Sequence, residues 1–341
     1  MTRETKHLDI NVNVDFGKSI VIDDMKKLTY CSVFISHEPP SDIFIQTIKT
    51  LSSVENMKVF VIDSSGSVKF SDLSSTISSI NSTKMGAPVE IFHLENRGTP
   101  DKLNFGIKKC AETGCKIITL FEDDCSLIER TFPIDSITEF FFLHCDPKKD
   151  VLILPVLNED KFLPGEYNET FHIGKIPGIT FSPELATRIR FRDDLVIDQV
   201  DIDFGRQVRR SGGKIIYYPE FVISRLPIGR ENGKGIHTLP YWRFYLYVRN
   251  VFLLALEERA VLSSMKQLTS AVSGTTHWFY IGINSGQKVG KLVKTLKLGI
   301  TDAALKRSGI TRNLQILSGN RFSSSKSMRT SSSPEISDSN S

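Results

Sequence analysis

Cysteine is scarce in this chain. There are five in 341 residues: Cys31, Cys110, Cys115, Cys125 and Cys145. The number is odd and no two stand in a C-x-x-C spacing, which argues against a disulfide framework or a zinc site and for free thiols in a reducing compartment. An excess of one charge is also missing: 43 Lys+Arg face 39 Asp+Glu. A dedicated nucleic-acid binder would show a dense basic face, so no nucleic-acid partner is expected. No uninterrupted apolar run reaches the length of a membrane span. The first residues, Met1 to His7, are polar with no apolar segment behind them, so no signal peptide is expected. These absences predict a cytoplasmic protein and leave open a peripheral contact with the inner face of the cell membrane.

What is present is a regular order of strand and helix signals. Residues 1–27 are a polar lead-in. Residues 28–36 read as a buried strand, stopped by His37-Glu38-Pro39-Pro40. Ile43, Phe44, Ile48 and Leu51 recur at helical spacing. Residues 57–62 form a second strand that runs into Asp63-Ser64-Ser65-Gly66-Ser67, and residues 89–94 a third. Residues 103–113 read as a helix closed by Gly114. A short apolar strand, 117–121, then ends abruptly in Glu122-Asp123-Asp124. This order predicts an α/β fold with a mostly parallel sheet.

Ligands of open α/β sheets bind at the carboxyl ends of the strands. Three adjacent carboxylates there repel one another unless something neutralises them. Hard divalent cations do so well, because they prefer carboxylate oxygens; the plain alternative is a solvated acidic turn. Asp63, at the end of the second strand, could accept hydrogen bonds from a nucleobase or ribose, or merely close an Asx-turn. Asn96-x-Gly98 and Asn104-x-Gly106 combine loop-fixing amides with glycines that permit close backbone approach.

Taken in order, the strand ending in Asp63, Asn96-Arg97-Gly98, Asn104-Phe105-Gly106 and Phe121-Glu122-Asp123-Asp124 resemble the donor-binding half of the family 2 glycosyltransferases, most of all the rhamnosyltransferase-like and galactofuranosyltransferase-like subgroup. The resemblance implies the GT-A fold, a Rossmann-like mostly parallel sheet flanked by helices, with a helical C-terminal extension. It implies that Asp63 contacts the base and that Ser36, Asn96, Gly98, Asn104 and Asp123 surround the donor. Asp124 would be the main ligand of Mg2+ or Mn2+, with Glu122 standing where the first Asp of an Asp-x-Asp motif usually stands.

Residues 193–205, with Asp198, Asp201 and Asp203, resemble the subgroup's most specific segment. A sugar transfer that inverts the anomeric centre needs a base for the acceptor hydroxyl. By the match Asp201 is that base, Asp203 orients the acceptor or Asp201, and Asp198 is the second candidate base. An acidic helix N-terminus is the plain reading of the same residues. The family's metal-binding His has no direct counterpart: a gap-free match puts Leu226 there, and His237, at the end of the Gly-rich loop 229–235, is the nearest substitute for a metal or phosphate contact. Residues 240–250, aromatic with interleaved arginine, resemble a helix of the subgroup, and Arg249 would meet donor phosphate. These rings suit sugar stacking, a bilayer interface or a core-facing stripe. Lys288, Lys291, Lys294 and Lys297, set among Val289, Leu292 and Val293, suit an anionic membrane surface or a solvated face.

The implied layout is a lead-in at 1–27, a catalytic domain at 28–239, helices at 240–317 and a disordered Ser-rich tail at 318–341. The implied reaction moves a sugar from a nucleotide-diphosphate donor, such as dTDP-rhamnose, UDP-galactofuranose or another UDP-hexose, to a glycan or lipid-linked acceptor. A nucleotidyltransferase would need a Gly-rich basic loop after the first strand, which His37-Glu38-Pro39-Pro40 does not supply. A binding-only relic fits Leu226 but gives no reason to keep both Asp124 and Asp201.

Overall fold

A computed structural model describes residues 29–37, 42–83, 86–127, 132–156, 175–218, 220–225, 231–232, 236–237, 240–258, 261–319 and 321–322. The lead-in, Leu226 and nearly all of the Ser-rich tail lie outside the described residues.

The strands are β1 (Tyr30–Ser36), β2 (Met57–Asp63), β3 (Val89–His93), β4 (Ile117–Glu122), β5 (Cys125–Leu127), β6 (Val151–Ile153), β7 (Ile179–Phe181), β8 (Ile215–Tyr217), β9 (Ile223–Arg225), β10 (Glu231–Asn232) and β11 (Ile236–His237). The helices are α1 (Asp42–Ser52), α2 (Ser67–Ser82), α3 (Thr99–Glu112), α4 (Ile134–His144), α5 (Pro183–Ala186), α6 (Val200–Arg210), α7 (Tyr241–Leu256), α8 (Val261–Asn284), α9 (Val289–Ala304) and α10 (Arg312–Ser318).

Seven strands make one sheet in the order β3-β2-β1-β4-β7-β6-β8. Neighbours run parallel except at β7, which is antiparallel to both β4 and β6. All of β1 is buried, as expected of a parallel strand covered on both faces. Its side chains alternate. Val33 and Ile35 join Phe60, Ile62, Leu103 and Ile107 under α3, while Phe34 joins Phe44, Val61, Phe121 and Phe141 under α1 and α4. The register aligns Ser36 with Asp63 and Ile35 with Glu122, so the ends of β1, β2 and β4 meet on one edge.

Several elements differ from the expectation, among them α4, β5, β7 and β9, which no sequence signal marked, and two helices near the site. Helix α2 was not foreseen, because its Ser-rich sequence buries only Leu73, Ile77 and Ile80 and serine is a weak helix former. Helix α3 begins at Thr99 rather than 103, started by Gly98 and Pro100. Helices α8 and α9 pack on α7 to form the C-terminal layer, where Gly299 of α9 lets that helix approach Val248 and the Tyr245 carbonyl. Among the described residues no helix is long and apolar enough to cross a membrane.

Gly106 sets how closely α3 lies on the sheet. A methyl group there would stand 2.4 Å from Val33 Cγ1 and 3.2 Å from Ile62 Cγ1. Both neighbours are fully buried, so they have no room to give. Gly106→Ala is therefore expected to lower unfolding stability by roughly 1–3 kcal/mol in a urea titration, despite alanine's better helix propensity.

Candidate active site

The carboxyl edge of the sheet gathers acids from three segments. Asp63 ends β2, Glu122 ends β4, and Asp123 and Asp124 follow at once. Short strand β9 pairs with β5 so that Arg225 lies opposite Cys125, next to those acids. Its guanidinium forks across them: Nη2 donates to Glu122 Oε2 at 2.9 Å and Nε to Asp124 Oδ2 at 2.7 Å. Burial pushes the Glu122 carboxyl up to about 7; Arg225 opposes this, and Asp124, Asp123 and Asp201 add to it.

This arrangement does not fit the expected divalent cation. Each of the two expected carboxylate ligands gives an oxygen to Arg225. Among the described residues no cluster of three or more His, Cys, Asp or Glu side chains is placed to hold a metal ion. The backbone of His237 lies in β11 opposite Glu231, and its side chain is outside the described set.

Asp63 is fully buried. Its Oδ2 accepts hydrogen bonds from Ser65 N at 2.9 Å and Ser65 Oγ at 2.7 Å and lies 3.2 Å from His93 Nδ1. Its Oδ1 is buried with no partner among the described residues. The Asx-turn is thus real, and a second oxygen is left to accept from a ligand. Asp123 Oδ2 accepts from the backbone N of His37 at 3.0 Å. Lys102, which sequence reasoning missed, donates to the Ser36 carbonyl at 3.0 Å from a buried position. Burial lowers its pKa, against Asp123, Asp63 and Glu122. The available signal was a lysine one helical turn before Gly106, on the face that α3 turns to the sheet.

The second acidic segment is built on unusual backbone. Val196, Asp198 and Gln199 have φ of 67°, 57° and 65°. Left-handed conformations are uncommon without glycine, most of all for β-branched valine, and cost about 1–3 kcal/mol each. Buried donors hold the loop in place. Asn250 Nδ2 donates to the carbonyls of Leu195, Ile197 and Asp198 at 2.8, 2.7 and 2.9 Å. Arg249, expected at a donor phosphate, is instead completely buried and donates to the carbonyls of Asp194, Leu195 and Gly309.

The two Asn-x-Gly elements also grip this region. Thr99 N donates to the Val196 carbonyl at 2.8 Å, and a Cβ on Gly98, whose φ is 112°, would stand 2.3 Å from that oxygen. Asn104 donates to Phe191 O and Asp193 Oδ1 and accepts from Phe191 N. Asn96 donates to the Arg321 carbonyl. Gly98 and Asn104, expected beside the donor, shape the backbone under the site.

The loop and the first turn of α6 line a cavity of about 340 Å³ with Glu122 and Arg225. Its walls carry the acids Glu122, Asp198 and Asp201, the cations Lys175, Arg225 and Arg243, and the rings of Tyr247 and Trp278. Asp198 Oδ1 accepts from Arg243 Nη2 at 3.2 Å, while its Oδ2 is buried and has no partner among the described residues. Burial pushes the Asp201 carboxyl up to about 7; the Ile202 N–H opposes this, Asp198 adds to it, and Arg225 opposes it. Asp203, two residues on, leaves this face of the helix. It is buried, accepts from Gln207 Nε2 at 2.7 Å and faces Arg192 at 3.7 Å. The structure thus brings Asp201, Asp198, Glu122 and Asp124 together with Lys175, Arg225 and Arg243, and sets Asp203 apart. A larger hollow of about 690 Å³, lined by Tyr30, Asn56 and Ile134, opens at the amino ends of β1 and β2, the wrong end of such a sheet for a ligand.

No protein-family model matches the chain, and no curated protein does. The crystal structure of GalNAc-T7 with UDP, GalNAc and Mn2+ matches with a TM-score of 0.50 at 12% identity, over 66% of this chain and 48% of that one. S. aureus TarS 1-349 matches with a TM-score of 0.46 at 11% identity, over 86% of this chain and 79% of that one. Its complex with UDP-GlcNAc matches with a TM-score of 0.45 at 10% identity, over 84% and 76%. The chain spans about half the length of the GalNAc-T7 chain. At such identities the likeness is one of fold, and the fold is GT-A, as the motifs imply.

Asn250 tests the loop. Asn250→Ala removes the donor for three carbonyls at once, and the loss is expected to cost roughly 2–3 kcal/mol in chemical denaturation. The surface substitution Lys297→Ala should stay within about 0.5 kcal/mol of the parent in the same titration.

Proposed function

We propose that this chain is an inverting glycosyltransferase: it moves a sugar from a nucleotide-diphosphate donor to a hydroxyl of a glycan or lipid-linked acceptor. The observation that carries this reading is Asp201, a carboxylate poised near neutrality in a cavity at the carboxyl edge of the sheet that holds three cations among three acids. A general base works best with a pKa near the operating pH. The structure of GalNAc-T7 with UDP, GalNAc and Mn2+, which shares the fold, supports the nucleotide-sugar part.

In this reading the free Oδ1 of Asp63 accepts a hydrogen bond from the nucleoside, at the end of β2. Lys175, Arg225 and Arg243 stand where positive charge favours a diphosphate leaving group. Asp201 takes the acceptor hydroxyl proton as that oxygen attacks the anomeric carbon, and the bond from that carbon to the diphosphate breaks. Tyr247 and Trp278, with ring centroids 5.9 Å apart, give an aromatic wall suited to a sugar face. The helices after residue 239 therefore share in the site and are not an appendage. Asp203 supports the base indirectly, by fixing α6 through Gln207 and Arg192.

Asp201→Asn is expected to lower kcat by about 10²–10⁴-fold while leaving nucleotide affinity within about twofold. The base acts when deprotonated, so kcat/KM of the parent chain should fall about tenfold per unit as pH drops below about 7, and the residual activity of the variant should lose that limb. A variant that turns over at the parent's rate would remove Asp201 from the mechanism, whereas a parent chain that binds nucleotide and transfers no sugar would favour a protein that only binds.

The outer faces of α8 and α9 are suited to a membrane surface, which supports a lipid-linked acceptor. Helix α8 turns Met265, Leu268, Val272, Tyr280 and Ile283 outward along one stripe, all at least 41% exposed. On α9, exposed Val289, Val293 and Ile300 run beside exposed Lys294 and Lys297. An apolar stripe flanked by lysines is complementary to an anionic bilayer surface. The full chain is expected to co-sediment with vesicles containing about 30% phosphatidylserine and not with pure phosphatidylcholine, and Val272→Asp with Tyr280→Asp should abolish the binding. Vesicle-independent dimerisation through this face would replace the bilayer with a second copy.

A further inference from the structure

We infer that Arg225 takes the place of the divalent cation at the end of β4, so that this site works with a built-in cation rather than a bound metal. The inference rests on the donor reading above and concerns how the same site supplies positive charge.

Several observations converge on it. Glu122 and Asp124 are the two residues at the strand end whose position and chemistry suit a metal. Both are engaged by one guanidinium, at 2.9 and 2.7 Å, in a fork that matches two acceptors at once. The pairing is fixed by the main chain: Arg225 belongs to β9, and β9 is hydrogen-bonded to β5, the strand that directly follows the acids. The guanidinium therefore reaches the acids from a rigid element and not from a loose surface loop. The three side chains are 14, 20 and 15% exposed, so the contact is largely shielded from water.

The remaining charge also fits. A divalent ion would give two positive charges to the acids and the diphosphate. Arg225 supplies one. Lys175, half-buried in the same wall, lies near Glu122 and Asp124 and supplies a second. Arg243, across the cavity, is shared with Asp198. Arginine stays charged across the physiological range, so such a cation would not depend on metal supply. A metal on the two oxygens that Arg225 now holds would require the guanidinium to leave them and carry its charge elsewhere in a mostly buried site, a costly exchange.

The test uses the full chain and two probes, Mn2+ alone and a nucleoside diphosphate (UDP or dTDP) alone. Mn2+ binding is read by electron paramagnetic resonance, nucleotide binding by calorimetry. The parent chain is expected to bind Mn2+ no more tightly than its Glu122→Gln/Asp124→Asn variant does. Its nucleotide affinity should be the same, within about twofold, in EDTA and in Mn2+. Arg225→Gln frees the two carboxylates. It should bind Mn2+ at least tenfold more tightly than the parent, lose nucleotide affinity at least tenfold in EDTA, and regain it when Mn2+ is added. Arg225→Lys, which keeps a charge but not the fork, should fall between the two.

Stoichiometric Mn2+ binding by the parent that Glu122→Gln/Asp124→Asn abolishes would overturn the inference. So would an Arg225→Gln chain that folds and gains no Mn2+ affinity. Should neither nucleotide bind the parent, the donor reading fails, and the Mn2+ arms still decide the role of Arg225. Should Arg225→Gln fail to fold, the comparison of parent with Glu122→Gln/Asp124→Asn decides it.

Discussion

A carboxylate taken out of water needs a cation or a set of donors beside it, and this requirement arranges the carboxyl edge of the sheet. Two unit charges 4 Å apart interact by about 4 kcal/mol at an effective dielectric constant near 20. Asp124, Asp123 and Asp201 all raise the Glu122 carboxyl and Asp198 raises Asp201, so these acids repel one another along the edge. Each acid with a nearby cation meets it from another part of the chain. Arg225 comes from a strand about 100 residues later, and Arg243 from the C-terminal helices. Lys102 lies beneath the edge, bonded to the Ser36 carbonyl among the same acids. Where the match is only half made, at Asp63 Oδ1 and Asp198 Oδ2, a buried acceptor is left over among the described residues. Those two oxygens are the places where a bound molecule adds most, because the protein has already met the cost of drying them.

The second constraint is conformational. The loop at 196–199 puts three non-glycine residues in left-handed backbone just before the helix that carries Asp201. Such a loop persists only where its surroundings over-determine it. Here Asn250, Arg249 and Thr99 satisfy its carbonyls, and Gly98 leaves room for it. The two segments that carry the family resemblance, around Asn96-x-Gly98 and Asp198–Asp201, are thus one piece of structure held by α7. The C-terminal helices hold the backbone that leads into Asp201 and contribute Tyr247 and Trp278 to the wall of its cavity.

Much of this was legible in the sequence where the signal is local. The strands β1, β2 and β4 are apolar runs with abrupt polar ends, and the acids at those ends lie where the run length places them. Asp63 and Glu122 were read in this way, whereas Asp201 was assigned through the family resemblance of residues 193–205. Strands β7 and β9 have only three residues each, too few to show a period, and α2 hides its apolar stripe among serines. Residue roles were harder to read. Gly98, Asn104 and Arg249 were assigned to the ligand, yet they hold backbone, because a motif records that a residue matters at a position and not whether it touches the ligand or the loop beneath it. Arg225 was missed for a different reason. Its neighbour Leu226 drew attention as the absent histidine, while the pairing that makes Arg225 important depends on which strand lies beside β5, and strand neighbours distant in sequence leave no local mark.

The electrostatics of the cavity form one coupled set. Asp198 raises the Asp201 carboxyl and Arg225 lowers it, while Arg243 holds part of the Asp198 charge. In the proposed reading the strength of the base is set first by burial and is trimmed by Arg225, one of the cations assigned to the leaving group. In the proposed transfer step this coupling has a direct consequence. When the acceptor proton arrives on Asp201, the cavity loses one negative charge. At that moment the diphosphate gains charge as its bond to the sugar breaks. Arg225 and Lys175, until then partly balanced by Asp201, are left with more of their field for the departing phosphates. Proton transfer to the base and stabilisation of the leaving group then reinforce each other without any group having to move, which is what a preorganised site does best.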